Sequence, residues 1–210
     1  MKKIAPTKAE IALLEPFVGL ALAHIQVPSS REEFASATAE IEAAGIVGFD
    51  TESKPTFVTG DVSAGPHVVQ FALHDKAYLF QLHRAEGHPF LIGLLQSEQL
   101  IKVGFGLKSD SGQIYAKLGI HIGAVVDLNK VFRMGGYQKE MGVRTSVALV
   151  FKSALCQVEE GHYLQLVANR THSAANALRG ERCLRGTQST GGLGLAPRRA
   201  AHHGPERAQT

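Results

Sequence analysis

A helix that runs directly into a short apolar strand is the feature that most limits how this chain can fold. Ser30, with Glu33 three residues later, matches the pattern that caps the start of a helix. Gly45 is placed to end that helix, and the apolar run at 46–51 that follows at once has the composition of a buried strand. The apolar side chains of the helix recur at helical spacing, at Phe34, Ala37, Ile41 and Ala44. A one-sided helix joined to a buried strand predicts a layered α/β domain.

The remaining elements extend this pattern to residue 151. HVVQFALH and KAYLFQL predict a hairpin that turns at residues 75–76, and LIKVGFG and GAVVDL predict two further strands. Helices are predicted for HPFLIGLLQSE, KSDSGQIYAKLG, NKVFRM and RTSVALVF, and a short strand for 24–27. Antiparallel links followed by helix–strand alternation predict an α/β fold with a mixed five-stranded sheet flanked by helices over residues 25–151, after an irregular lead-in at 1–24.

Composition excludes several functional classes. No apolar run approaches the roughly 20 residues that cross a bilayer, and the start, MKKIAPTKAE, lacks the apolar core of a signal peptide. Cys156 and Cys183 have no metal-ligand or disulfide-framework spacing. We therefore expect a cytoplasmic protein with no membrane partner. The formal net charge is +3, but residues 152–210 hold eight Lys/Arg against four Asp/Glu, which leaves the rest of the chain close to neutral. The net charge therefore does not indicate a class of binding partner.

The periodic pattern stops after Phe151. Residues 152–210 contain no Phe, Ile, Met or Trp, and Tyr163 is their only aromatic residue. Seven glycines and many arginines fill the same segment without helical or strand periodicity. A segment with so little to bury is predicted to be an irregular or disordered tail.

Acidic residues follow three of the predicted strands. Asp50 and Glu52 end the strand at 46–51, and their spacing of two places both side chains on one face. Two neighbouring carboxylates repel each other unless a cation lies between them, and Mg²⁺ or Mn²⁺ prefers such oxygen ligands. Asp110 lies in the first turn of the helix after the apolar strand LIKVGFG, and Asp127 ends AVVD. Acidic pairs at strand ends are also commonly solvated, and Asp110 and Asp127 could equally be helix caps, so these residues alone leave both interpretations open.

Taken in order, the motifs resemble those of the DEDD superfamily of 3′–5′ exonucleases, in its ribonuclease D and Werner-type branch. The matching segments are VGFDTESKP, VVQFAL, AYLFQL, KVGFGLKSD and VVDL, within residues 40–151. The resemblance implies a ribonuclease H-like fold and two Mg²⁺ or Mn²⁺ ions, and a partner nucleic acid with a free 3′ end, hydrolysed to 5′-mononucleotides. By resemblance, Asp50, Glu52 and Asp110 are the catalytic metal ligands. Thr51 lies where the family contacts the terminal nucleotide, and Asp127 matches a structural position.

The third motif of the family, Tyr-Ala-x-x-Asp-Ala, is missing after Phe151. Read one base out of frame with free wobble bases, residues 177–191 (ALRGERCLRGTQSTG) can give HYAANDAYAALRVL, which contains that motif. The same shift applied upstream, from Lys152 onward, can also give the serine–tryptophan and leucine–threonine pairs of the family. Because the wobble bases are free, any one short match is weakly specific. We hypothesise a one-base slip near the codons of Phe151 and Lys152, which would leave 152–210 translated out of frame. The alternative is an ordinary flexible tail.

Two other functions remain open from the sequence. The domain could be a degenerate, non-catalytic module that binds nucleic acid or protein, which metal titration would distinguish from a nuclease. It could also be an unrelated α/β domain with a solvated acidic pair, which requires Asp110 to lie far from Asp50 in space.

Overall fold

The structure, a computed structural model, describes residues 2–53 and 65–155, all of which belong to one compact unit. The elements are α1 (Lys8–Ala12), β1 (Ile25–Gln26), α2 (Arg31–Ala44), β2 (Ile46–Glu52), β3 (Val68–Ala72), β4 (Ala77–Gln81), α3 (His88–Gln96), β5 (Ile101–Gly104), α4 (Leu107–Leu118), β6 (Val125–Asp127), α5 (Leu128–Met134) and α6 (Val143–Phe151). The hairpin and the helix–strand alternation are confirmed, and the lead-in holds the short helix α1.

The strands form one mixed sheet in the order β1-β4-β3-β2-β5-β6. Strand β3 is antiparallel to both β2 and β4, whereas β5 runs parallel to β2, and β6 parallel to β5. The predicted mixed α/β sheet is confirmed, but it has six strands rather than five. The sixth is β1, which lies within the short strand predicted at 24–27 and pairs in parallel with β4 through Ile25 and Gln26.

Helix α2 begins and ends at the predicted residues. The Ser30 hydroxyl accepts a hydrogen bond from the Glu33 amide at 3.2 Å, and Gly45 ends the helix in the left-handed region at φ 66°. The Glu33 carboxylate bonds not to Ser30 but to Ser29, accepting from its amide at 2.7 Å and from its hydroxyl at 2.9 Å. The predicted capping pattern is therefore formed, with its second half shifted by one residue.

Helices α2 and α3 pack on one face of the sheet and enclose the core. Because strand side chains alternate between faces, every second residue of β2, β3 and β4 points into this core. Its buried members include Phe34, Ile41, Val47, Phe49, Val69, Phe71, Tyr78, Phe80, Leu91, Leu94 and Leu95. The rings of Phe49, Phe71 and Phe80 follow one another across the three strands, with centroids 5.7 and 5.6 Å apart. This packing fixes the first half of β2.

The carboxyl ends of β2, β5 and β6 lie at one edge of the sheet, because the three strands are parallel. They end at Glu52, Gly104 and Asp127. A Cβ at Gly104 would lie 2.3 Å from the carbonyl oxygen of Phe49, so only glycine fits there. Helix α4, which follows β5, therefore starts close beside the end of β2.

Helix α6 ends at Phe151, the residue at which the sequence pattern stops, and Lys152 takes a left-handed conformation at φ 55°. The predicted tail lies outside the described residues from residue 156 onward. None of the helices in the described ranges has the length and apolar character needed to cross a membrane.

Candidate active site

The acidic end of β2 projects away from the main core. Asp50 and Glu52 alternate with Phe49 and Thr51 along the strand, so their side chains leave the face opposite Phe49. Asp50 is half-buried and Glu52 is exposed. The two carboxylates share one face of the strand, as their spacing predicts, and differ in that protein partly covers Asp50 whereas Glu52 is exposed.

Asp110 approaches the same end of β2 from helix α4. Its side chain is only 8% exposed, although it belongs to the first turn and a half of a surface helix. The Thr51 hydroxyl donates a hydrogen bond to Asp110 Oδ1 at 2.6 Å, and the Thr51 amide donates to Asp50 Oδ1 at 2.9 Å. One residue therefore links two carboxylates that lie far apart in the sequence. The unrelated-domain hypothesis required these two acids to be distant, and the structure contradicts it.

This arrangement raises the pKa of Asp50 to about 7. Burial of the carboxyl is the largest cause, and the charge of Asp110 is the second. The hydrogen bond from the Thr51 amide opposes the rise, and the charge of Glu52 adds to it. The effects that raise the pKa of Asp50 thus outweigh the hydrogen bond that lowers it. A bound cation would relieve the repulsion among these carboxylates.

The donors present fit part of a hard-metal site. Carboxylate oxygens from Asp50 and Asp110 are suitable ligands for Mg²⁺ or Mn²⁺, and Glu52 adds its charge at the exposed rim. However, no group of three or more His, Cys, Asp or Glu side chains within the described residues is arranged to hold a metal ion. Residues 156–210, where the family's last ligand would be sought, lie outside the described part of the chain.

Two of the sequence-predicted residues have clear structural partners. Thr51 uses both its hydroxyl and its amide to hold carboxylates, so it orients Asp50 and Asp110. Asp127 caps α5, accepting hydrogen bonds from the Asn129 amide at 2.9 Å and from the Gly106 amide at 3.3 Å. The structure therefore shows that Asp127 is a helix cap, which is one of the two interpretations that the sequence left open.

Three polar residues of this edge were missed by the sequence analysis. Gln70 lies directly opposite Asp50 on β3, shares its face, and is 6% exposed. Ser53 donates to Gln113 Oε1 at 2.9 Å, which ties the residue after Glu52 to helix α4. A lone glutamine inside the apolar run VVQFA was a detectable signal, whereas the pairing of Ser53 with Gln113 depends on the tertiary fold.

A sequence model of the 3′-5′ exonuclease family matches residues 25–172, which is well over half of the chain. The chain belongs to this family. The resemblance to DEDD exonucleases is thereby confirmed. The match extends past Phe151 to residue 172, beyond the codon at which the hypothesised slip would occur, and the slip itself stays a prediction.

Solved structures share the exonuclease fold at low sequence identity. The EXO domain of Aedes aegypti Nibbler has a TM-score of 0.61 at 16% identity, covering 80% of this chain and 92% of that one. Escherichia coli RNase D, an exoribonuclease involved in structured RNA processing, has a TM-score of 0.62 at 14% identity, covering 78% of this chain and 46% of that one. Trypanosoma brucei RNase D, solved with RNA U12, has a TM-score of 0.55 at 17% identity, covering 70% and 50%.

This chain thus spans about half the length of the two RNase D chains. At these identities the likeness establishes the ribonuclease H-like fold alone. A search of curated proteins found no match.

Proposed function

We propose that this exonuclease-family domain is built to hydrolyse the terminal phosphodiester bond at the free 3′ end of DNA or RNA. The observation that supports it most directly is the pair of hydrogen bonds by which Thr51 holds Asp50 and Asp110 at one place. Two carboxylates drawn together in this way, one of them 8% exposed, have no favourable partner among the cationic side chains described around them. Divalent cations, which the family generally uses, would supply one.

In this proposal Asp50, Glu52 and Asp110 hold Mg²⁺ or Mn²⁺ through their carboxylate oxygens. When bound, two such ions would activate the attacking water and stabilise the leaving oxygen of an in-line displacement. The P–O3′ bond of the last linkage breaks, water supplies the new oxygen, and a 5′-mononucleotide leaves. Thr51 keeps two of the carboxylates in one orientation before substrate arrives, and exposed Glu52 faces the solvent from which the strand end approaches.

The substrate class follows from the chemistry rather than from net charge. A phosphodiester is an anion that hard cations bind well, whereas the near-neutral body offers no long-range attraction. A structural neighbour, T. brucei RNase D, was solved with RNA U12, which supports including RNA. The proposed substrate is therefore a single-stranded 3′ end of either nucleic acid.

For this polypeptide we predict little or no activity. The family's third motif, which supplies the last ligand and a tyrosine beside the attacking water, is missing from residues 152–210 as translated. A two-ion site that lacks one carboxylate should hold at least one ion weakly.

Two experiments separate these statements. Sequencing codons 150–190 tests the slip, and finding no alternative frame that ends in the aspartate motif would eliminate it. A 5′-labelled oligonucleotide is then incubated with Mg²⁺ or Mn²⁺ and either the present chain or a version with the frame restored after codon 151. We expect 3′-end shortening by the restored version, lost in Asp50→Ala and kept in Asp127→Asn. No shortening by the folded restored version would contradict the proposed function, and shortening by the present chain would contradict its predicted inactivity.

A non-catalytic nucleic-acid-binding module is the second proposal. It is favoured by the lack of a three-ligand metal group within residues 2–53 and 65–155. This module would bind oligonucleotide equally well in Mn²⁺ and in EDTA, whereas a nuclease site would bind Mn²⁺ through Asp50 and Asp110.

A further inference from the structure

A second aromatic cluster lies at the edge of the sheet that carries the acidic residues. Phe105 and Phe132 stack with ring centroids 6.3 Å apart and planes 13° apart, and Tyr137 meets Phe132 edge-on at 5.9 Å. The Lys3 ammonium lies 5.6 Å from the centre of the Tyr137 ring. We refer to Phe105, Phe132 and Tyr137 as the edge aromatic cluster.

The edge aromatic cluster differs from the aromatic core in its exposure. The core rings Phe34, Phe49, Phe71 and Phe80 are at most 1% exposed. All three rings of the edge cluster are only half-buried, and the neighbouring side chain of Met134 at the end of α5 is 88% exposed. The cluster therefore holds α5 against the sheet and still leaves aromatic surface open to solvent.

Exposed cations lie on the segments that carry these rings or adjoin them. Lys130 and Arg133 lie three residues apart on α5, so they share one side of that helix, and α5 contains no acidic residue. Lys108 is exposed in the first turn of α4, and Lys3 is exposed beside Tyr137. Asp127, the acid that precedes α5, is half-buried and engaged as the helix cap. A local positive surface thus exists on a body that is neutral overall.

The position of the cluster relates it to the acidic site. Phe105 directly follows β5, the strand beside β2, and α5 follows β6, the next strand outward. Neighbouring strands are about 5 Å apart, so the end of β6 lies on the order of 10 Å from the end of β2. This separation matches one or two nucleotides of an extended strand.

We infer that the edge aromatic cluster and the cations Lys3, Lys108, Lys130 and Arg133 bind single-stranded nucleic acid, upstream of a 3′ end that lies at Asp50 and Asp110. The inference rests on the proposed function. The ammonium and guanidinium groups contact phosphates, and bases stack on the exposed parts of the rings without sequence preference. Aromatic side chains interleaved with cations fit such a strand better than an apolar protein surface, because the strand offers both negative charge and flat rings.

Binding is measured by fluorescence anisotropy of labelled 12-nucleotide single-stranded DNA and RNA in EDTA, between 50 and 200 mM salt. The double variant Lys130→Ala/Arg133→Ala changes only exposed side chains. We expect its affinity at low salt to fall about tenfold, and its salt dependence to become shallower, because each lost phosphate contact releases fewer counterions. Phe105→Leu should weaken binding about threefold at every salt concentration, since stacking does not depend on counterions.

The control variant Lys8→Ala/Arg31→Ala removes the same charge from exposed positions on α1 and α2. Near-wild-type binding by this control supports the inference. Equal weakening by both double variants, unchanged binding in Lys130→Ala/Arg133→Ala, no binding by the wild type, or preference for a duplex would each overturn it. Because the assay contains EDTA, failure of metal-dependent cleavage would refute the proposed function without altering these results.

Discussion

The two halves of strand β2 differ in burial and in charge. From Ile46 to Phe49 every residue is buried, and the side chains facing α2 and α3 join a continuous apolar core. From Asp50 to Glu52 the strand turns polar, and its carboxylates repel one another near a buried third acid. The first half contributes stability through burial, whereas the second half brings carboxylates close enough to Asp110 that the pKa of Asp50 rises. The difference indicates that the core serves as support for the acidic end.

The largest expected effect lies on the core side. Phe71 is 0% exposed and its ring contacts those of Phe49 and Phe80, so Phe71→Ala should lower the free energy of unfolding by about 3–5 kcal/mol. Urea unfolding followed by circular dichroism measures this loss. The control Leu22→Ala, at a side chain 70% exposed, should change it by less than about 0.5 kcal/mol. Similar losses in the two variants would mean that this face is not the core.

Lys102, a buried lysine of β5, gives a second test of the comparison between buried and polar regions. Lys102 is 0% exposed and donates to the carbonyl oxygens of Leu94 and Ser97 at 2.9 and 2.8 Å, near the end of α3. Burial lowers its pKa from 10.5 to about 8, and the Glu98 carboxylate opposes that shift. Between these two values the unfolded chain binds more protons than the folded one, so stability should rise with pH.

The expected rise between pH 7.5 and 10.5 is about 3 kcal/mol in the wild type relative to Lys102→Met. The two proteins share every other titrating group, so the difference between their unfolding free energies isolates this lysine. Parallel curves for the two proteins would show that Lys102 keeps its ordinary pKa.

A smaller effect is expected in the acidic half of β2. Thr51→Val removes the hydroxyl that donates to buried Asp110 while keeping the shape of the side chain. Leaving a buried carboxylate without this donor should destabilise the chain by about 2 kcal/mol. Thr51→Ser keeps the donor and should lose less. A loss in Thr51→Ser as large as or larger than that in Thr51→Val would contradict the stabilising role of the hydroxyl.

Much of the core side could be predicted from sequence, because local rules determine it. The cap at Ser30, the helical spacing after it and the end at Gly45 are all short-range signals, and each was confirmed. The acidic end was harder to predict. Alternation placed Asp50 and Glu52 on one face, and the family resemblance implied that Asp110 joins them. The hydrogen bond from Thr51 to Asp110 spans 59 residues and was not predicted.

Other features depended on tertiary packing that no local pattern encodes. Lys102 appears in the sequence as a lysine within the apolar strand LIKVG, yet its acceptors belong to a different element. The short strand predicted at 24–27 is present as β1, but its pairing with β4 is a tertiary contact, so the sheet has six strands rather than the five predicted.

Titration with Mn²⁺, followed by calorimetry and by the electron paramagnetic resonance of the free ion, tests the central claim most directly. The claim is that Asp50 and Asp110 together form a binding site for a divalent cation. We expect the present chain to bind Mn²⁺, and Asp50→Asn and Asp110→Asn each to weaken that binding at least about tenfold. Asp127→Asn, which keeps a good helix cap at the same edge, should bind like the wild type. Unchanged Mn²⁺ affinity in Asp50→Asn, or equal weakening in Asp127→Asn, would contradict the account.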